Sequence, residues 1–179
     1  MLHYRLKREI REIAKDLRTS LTSSLGDWYN VNVYATNDHI ADRLVDRSDS
    51  VSEGMRHIKE ILESLGKHYA CNLLHFALKS SKMELQTIIV YRKVKGKTFA
   101  IPLTAKVLPG TETEKPCLVV SIRTVIPEYL TLAGKNTIHV NYQYPKIAFE
   151  YDGFRRVLSR LTRLIQSDDC PDALKVLRT

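Results

Sequence analysis

Cysteine is scarce in this sequence of 179 residues, and its three copies, Cys71, Cys117 and Cys170, are odd in number and widely scattered. That excludes a disulfide framework and agrees with a reducing compartment. Long apolar runs are missing too. No stretch approaches the roughly 18 apolar residues of a membrane-spanning helix. The opening MLHYRLKREIREI alternates charges where a secretory signal would carry an unbroken apolar region. Both absences predict a cytoplasmic protein. No glycine-rich phosphate loop, dinucleotide fingerprint or Ser-His-Asp motif occurs, and there is no internal repeat or low-complexity run. Acidic residues are the minority charge, with 20 Asp+Glu against 28 Lys+Arg and a formal net charge of +8. The resulting field attracts polyanions, nucleic acid ahead of anionic membrane.

What is present suffices for a core: 44% of the chain is hydrophobic, enough for one domain with a modest appendage. Leu6, Ile10, Ile13 and Leu17 recur at helical spacing, so RLKREIREIAKDLRTSL reads as an amphipathic helix. Gly26 and Asp27 break it, and WYNVNVYAT alternates as a short strand would. Asn37 caps a second helix that runs to about Arg47. Ser50 and Glu53 form a capping box ahead of a third, with Val51, Met55, Ile58, Leu62 and Leu65 as its buried stripe. Gly66 interrupts or ends it before KHYACNLLHFALKSS, another helical stretch. From residue 84 the pattern is β: MELQTIIVYRK, a turn at VKGK, TFAIPLTAKV, a loop, and CLVVSIRTVI. Helices followed by consecutive strands predict an α+β fold, with N-terminal helices packed on a C-terminal antiparallel sheet. An additional C-terminal helix follows from the apolar stripe of Phe154, Val157, Leu158, Leu161, Leu164 and Ile165, opposed by Arg155, Arg156, Arg160 and Arg163. Its segregated faces also admit a membrane-surface role, but packing on the sheet is the expectation.

The stretch NDHIADRLVDRS, residues 37 to 48, carries the densest chemistry. At 100° per residue, His39, Asp42, Arg43, Asp46 and Arg47 share one arc, and Ile40, Ala41, Leu44 and Val45 the opposite one. His39 falls in the first turn, where the helix dipole disfavours an imidazolium, while Asp42 one turn on favours it. Arg43 and Arg47 align two planar forks able to grip phosphate oxygens. His57 lies on the third helix at the flank of its apolar stripe. Two histidines with arginines between them suffice for RNA cleavage without a metal. One removes the 2′-hydroxyl proton, the other protonates the leaving 5′-oxygen, and the arginines stabilise the phosphorane. Asp and Arg at these spacings also form ordinary surface pairs. On the last long strand, alternation turns Leu118, Val120 and Ile122 inward and Ser121 and Arg123 outward, so Arg123 is placed to contact substrate from the sheet. Lys93, Lys95 and Lys97 cluster at the hairpin turn, where backbone phosphates could meet them. His68, Cys71 and His75 share a helix face with zinc-type ligands, but a fourth is lacking, and Cys71 and His75 are expected to pack beside Leu74 and Phe76.

The pattern HIADRLVDR followed by MRHIKEI resembles the RegB-type phage endoribonucleases, within the RelE- and barnase-like ribonuclease superfamily. In that family His-x-x-Asp-Arg-x-x-x-Arg precedes a helix with a second histidine. His39, Asp42, Arg43 and Arg47 occupy the first pattern without a gap, and His57 corresponds to the second histidine. The order of elements is similar too, from a basic first helix to a sheet whose final strand ends Ile-Pro, over residues 5 to 127. A glutamate on the family's first helix corresponds to Glu9 or Glu12. The resemblance implies a sheet flanked by helices with RNA lying across it, and purine-rich ribosome-binding sites on messengers as targets. It also implies a ribosomal RNA-binding protein as stimulator and a phage-infected bacterial cytoplasm as the setting.

The expectation is therefore a single endoribonuclease domain over 1–179, with its core at about 5–127 and a helical extension at about 141–179. It cleaves messenger RNA without cofactor or metal, leaves a 2′,3′-cyclic phosphate and does not engage membrane. His39 and His57 share the general acid and base roles in either order, and Arg43 stabilises the transition state. Arg47, Arg123, Lys93 and Lys95 bind substrate, and Asp42 orients a neighbour. A repressor that binds RNA or ribosomes without cutting is the alternative. An interaction module that uses its charge only for steering is a third.

Overall fold

The computed structural model describes residues 2–80, 87–94, 96–127 and 136–140, all within the unit Met1–Ala148. The expected C-terminal helix at 154–165, and with it the 141–179 extension, lies outside the described residues. The fold is α+β. Helix α1 (Leu2–Leu25) leads through a short 3-10 turn, Gly26–Trp28, into strand β1 (Asn30–Ala35). Helices α2 (Asn37–Arg47), α3 (Val51–His68) and α4 (Ala70–Ser80) follow, then strands β2 (Thr87–Val94), β3 (Lys97–Leu108), β4 (Cys117–Ile122) and β5 (Asn136–His139).

The five strands lie in the order β1-β4-β3-β2-β5. β2, β3 and β4 form the expected antiparallel meander. The sheet as a whole is mixed, however, because β1 runs parallel to β4 and β5 parallel to β2. Parallel neighbours need a long crossover, and α2, α3 and α4 supply one between β1 and the meander. Alternation along WYNVNVYAT marks a strand but says nothing about its neighbour, so this pairing was not legible locally.

Strand alternation sorts the two faces. Val90, Phe99, Ile101, Leu103, Leu118, Val120 and Ile122 are buried on the face that the helices cover. α1 contributes Leu6, Ile10, Ile13, Leu17 and Leu21 to this core, and α3 contributes Met55, Ile58, Ile61, Leu62 and Leu65. Burial of each such side chain stabilises the fold by about 1.5–3 kcal/mol as an upper bound. α3 continues through Gly66 rather than ending there. A Cβ at Gly66 would come 2.6 Å from Ser20 Cβ, so this glycine lets α1 and α3 approach closely. A Ser24 hydroxyl donating to the Gly66 carbonyl at 2.7 Å ties the same crossing.

Two local devices fix the end of the sheet nearest α3. A tight hairpin joins β2 to β3, with Val94 paired to Lys97 and Gly96 at φ 81°, a conformation glycine adopts at little steric cost. Pro102, which has no N–H, stops the β3–β4 ladder. Arg123 N–H donates to the Pro102 carbonyl at 3.1 Å, but no return bond is possible and β4 ends at Ile122. The chain rejoins at Ile126, which exchanges both backbone bonds with Ala100. Four steps from Ile122 to Ile126 oppose three from Leu103 to Ala100, a bulge that carries Pro127 alongside Phe99.

Candidate active site

The α2–α3 connection, the first turns of α3 and the β2–β3 hairpin enclose a groove of about 290 Å³. Arg47, Ser48, Glu53, His57, Lys97 and Phe99 are the lining residues that bear on chemistry. Local rules place each one. α2 stops at Arg47, and Ser48 takes an extended conformation. Ser50 then caps α3, its hydroxyl accepting from Glu53 N–H at 3.4 Å, as the capping-box spacing predicts. The turn lies flat against α3 because residue 54 is glycine. A Cβ there would stand 2.7 Å from Leu44 Cδ2 and 2.9 Å from Ser48 Oγ.

His57 is only 8% exposed. Its ring meets Phe99 at a centroid distance of 5.5 Å and a tilt of 43°. It therefore points between α3 and the sheet, not between helices. Nε2 lies 3.6 Å from Glu53 Oε1, and Nδ1 lies 3.8 Å from Glu60 Oε2. Glu60 is also gripped by Arg92 of β2, which joins α3 to the sheet. Glu53, 56% exposed, carries Arg56 at 3.3 Å on its open side. Lys97 bridges the groove's rim to Asp49 at 3.1 Å. His57 Nδ1 and Ser48 Oγ are buried with no hydrogen-bond partner among the described residues. The arrangement combines a carboxylate, an imidazole beside it and two cations, which is a set able to move a proton and hold an anion.

The expected site residues divide between places. Arg47 and His57 share this groove. His39 and Arg43 are not among its lining residues. His39 sits exposed in the first turn of α2, eight residues from Arg47, or about 12 Å along the axis at 1.5 Å per residue. The residue before α2, Thr36, is its N-cap and makes no side-chain cap bond, so Asn37 does not cap the helix as expected. Much of the charge on α2 serves contacts with α1. Lys7 pairs with Asp38, and His3 Nδ1 lies 3.5 Å from Asp42. The Lys7 ammonium holds the Asp38 carboxyl below the usual carboxylate range, with Arg11 and His3 adding to the effect. Asp42 thus faces His3 of α1. Arg123 is exposed at the end of the sheet, on the face turned away from the helices, and Lys93 lies on that same face. Lys95 lies outside the described residues.

Glu53, Ser48 and Phe99 were missed by sequence reasoning. The i,i+4 spacing of Glu53 and His57 on one helix is the available signal, whereas the capping-box pattern links Glu53 only to Ser50. Cys71 is exposed rather than packed beside Phe76. His68 is exposed as well, while burial pushes the half-buried His75 imidazole below its ordinary value, with Lys79 adding to the shift. Among the described residues no helix is long and apolar enough to cross a membrane. Comparison with known proteins adds no relative: no protein-family model matches the chain, and no curated protein or solved structure matches it.

Proposed function

We propose that the protein is an endoribonuclease that works without a metal ion and cleaves RNA in the groove between α3 and the β2–β3 hairpin. The observation that carries this reading is the Glu53–His57 pair, a buried imidazole 3.6 Å from a largely exposed carboxylate, in a groove also lined by Arg47 and Lys97. Glu53 takes the 2′-hydroxyl proton as the oxygen attacks phosphorus. Protonated His57 donates to the departing 5′-oxygen, and Arg47 and Lys97 neutralise the phosphorane. The products are a 2′,3′-cyclic phosphate and a free 5′-hydroxyl. Glu53 has room to swing from His57 when a phosphate enters, since more than half of its side chain faces solvent. The net charge of +8 and the RegB-like motif on α2 support RNA as the substrate. In this reading the motif's Arg47 reaches the groove, and His39 and Arg43 do not take part in the chemistry.

A second reading has a specific observation behind it. His57 is flanked by Glu53 and Glu60, and Glu60 is held by Arg92, which also describes a structural ion network in an RNA-binding protein that does not cut. Incubation with a short RNA containing GGAG in EDTA, followed by end mapping, separates the two. Cyclic-phosphate ends that vanish in both Glu53→Gln and His57→Ala while RNA binding persists support the nuclease. Binding without cutting by the unaltered protein overturns it in favour of the second reading.

A further inference from the structure

Helix α1 carries charge that neither its packing nor the groove uses. At 100° per residue, Lys7, Arg8, Arg11, Lys15 and Arg18 fall within an arc of about 100° that contains no acid. Glu9, Glu12 and Asp16 fall together on the opposite flank of the exposed surface. A merely solvated helix face interleaves the two signs, because i,i+4 pairs of opposite charge stabilise it. Here they are segregated apart from Arg5, which lies on the acidic flank and pairs with Glu9 at 2.8 Å. The cationic flank borders β1 and the start of α2, since Lys7 and Arg11 act on Asp38 and Arg18 Nε donates to the Val31 carbonyl at 2.9 Å. Lys7 is neutralised by Asp38, whereas the side chains of Arg8, Arg11 and Lys15 make no hydrogen bond or ion pair among the described residues. From Arg8 to Arg18 the track runs about 15 Å at 1.5 Å per residue.

The track ends in a second cleft, of about 530 Å³, on the side of the molecule where β1 and β4 begin. Arg18 belongs to both. Tyr29, Asn30, Asn32 and Lys115 line it with a phenol ring, two amides and a second cation, alongside the Thr22 hydroxyl and one carboxylate, Glu114. Such a set offers a stacking surface, base-edge donors and acceptors, and phosphate contacts in one place.

We propose that this flank of α1 and the cleft at its end form a binding surface for single-stranded RNA, with the backbone along Arg8, Arg11, Lys15 and Arg18 and one unstacked nucleotide in the cleft against Tyr29. A single strand fits better than a duplex, because the cleft accepts a base only when that base is free of its partner. Anionic membrane is the weaker occupant. The apolar stripe of α1 that would enter a bilayer is buried in the core, from Leu6 to Leu25. The surface lies apart from the groove and shares no lining residue with it, so it holds substrate without touching the reacting atoms. The proposal rests on the preceding reading only in taking RNA as the ligand.

The test is anisotropy of a labelled twelve-nucleotide oligo(U) titrated with the full chain over a series of salt concentrations. Lys15→Glu is compared with Lys59→Glu, an equal charge change at an exposed position of α3. The expected result is about a tenfold loss for Lys15→Glu with a salt slope shallower by about one, and at most about a twofold loss for Lys59→Glu. Tyr29→Leu is expected to weaken binding about tenfold through lost stacking. Because Tyr29 is half-buried, Lys115→Ala in the exposed loop serves as a second cleft variant that spares the core, with a loss of about threefold. Equal losses at Lys15 and Lys59, a duplex that binds as tightly as oligo(U), or equal retention on phosphatidylserine vesicles overturns the proposal. Binding that maps to α1 in a protein that does not cut sinks the groove reading alone, and cutting that ignores every α1 and cleft variant sinks only this one.

Discussion

The exposed face of α2 and the groove beside α3 hold nearly the same residue types, yet their surroundings differ. On α2, His39, Asp38, Asp42 and Asp46 stand in solvent, and the contacts that Asp38 and Asp42 make with α1 are exposed ion pairs. Water screens such pairs, and their worth is small. In the groove, His57 is nearly enclosed, Glu60 and Arg92 are each about three-quarters covered, and Phe99 walls one side. Coulomb energies grow as the effective dielectric falls, so the same carboxylate, imidazole and guanidinium can do far more there. Charge density along a sequence therefore points to a helix face. Enclosure decides whether that face can support chemistry.

Exchanging the histidines breaks this comparison most directly. His57→Ala and Glu53→Gln are each expected to lower the rate of RNA cutting by about 10²–10⁴-fold, the usual contribution of general acid–base catalysis. His39→Ala is expected to change it by no more than about twofold, the size of an ordinary surface substitution. Rates measured on one RNA with all three variants decide between the regions. If His39→Ala is as damaging as His57→Ala, α2 belongs to the active site and the groove assignment is wrong.

The cations sharpen the contrast at a smaller scale. Arg47 and Arg43 are one helical turn apart on α2, but only Arg47 lines the groove. Arg47→Ala is expected to cost about a hundredfold in cutting, as the loss of one transition-state donor does, and Lys97→Ala a similar factor. Arg43→Ala should remain within about twofold. The readout is the single-turnover rate at saturating RNA, so that a binding defect does not masquerade as a chemical one.

Packing at Gly54 is what holds the α2–α3 turn against the groove. Gly54→Val drives a branched side chain into Leu44, which is fully buried. It is expected to destabilise the fold by about 1–3 kcal/mol through overpacking, read from urea midpoints. The turn residues Arg47 and Ser48 should move with it, so cutting falls further than the loss of folded protein explains.

Local pattern was enough for much of this fold. The end of α2, the Ser50 cap, the tight turn between β2 and β3 and the inward alternation of Leu118, Val120 and Ile122 all follow from rules that act within a few residues. The parallel pairing of β1 with β4 did not, because it joins segments distant in sequence. The site divided in the same way. His57 could be named as a residue of interest, but its neighbours Phe99 and Lys97 come from β3, and nothing along α3 announces them. Conversely, the wheel of α2 brought His39 and Arg47 onto one arc, yet two turns of helix separate them along the axis. A wheel discards the axial coordinate, and here that coordinate places them at different ends of α2.

The smallest effect belongs to the α1–α2 ion pair, and its sign follows from the Asp38 carboxyl. Lys7 holds that carboxyl below its ordinary value of 3.8, so the folded chain gives up its proton more readily than the unfolded chain does. The resulting stability is present in full above the unfolded value and is lost as pH falls through the lower folded value. Asp38→Asn should therefore lower the urea midpoint slightly at pH 7, and the difference from the unaltered protein should close as pH falls through the lower folded value and shrink in 1 M salt. Because both partners reach solvent, the shift at pH 7 is expected to be far smaller than that of Gly54→Val. A shift as large as Gly54→Val, persistent in salt, would mean that α2's acidic face is enclosed after all, and the contrast drawn between it and the groove would fail.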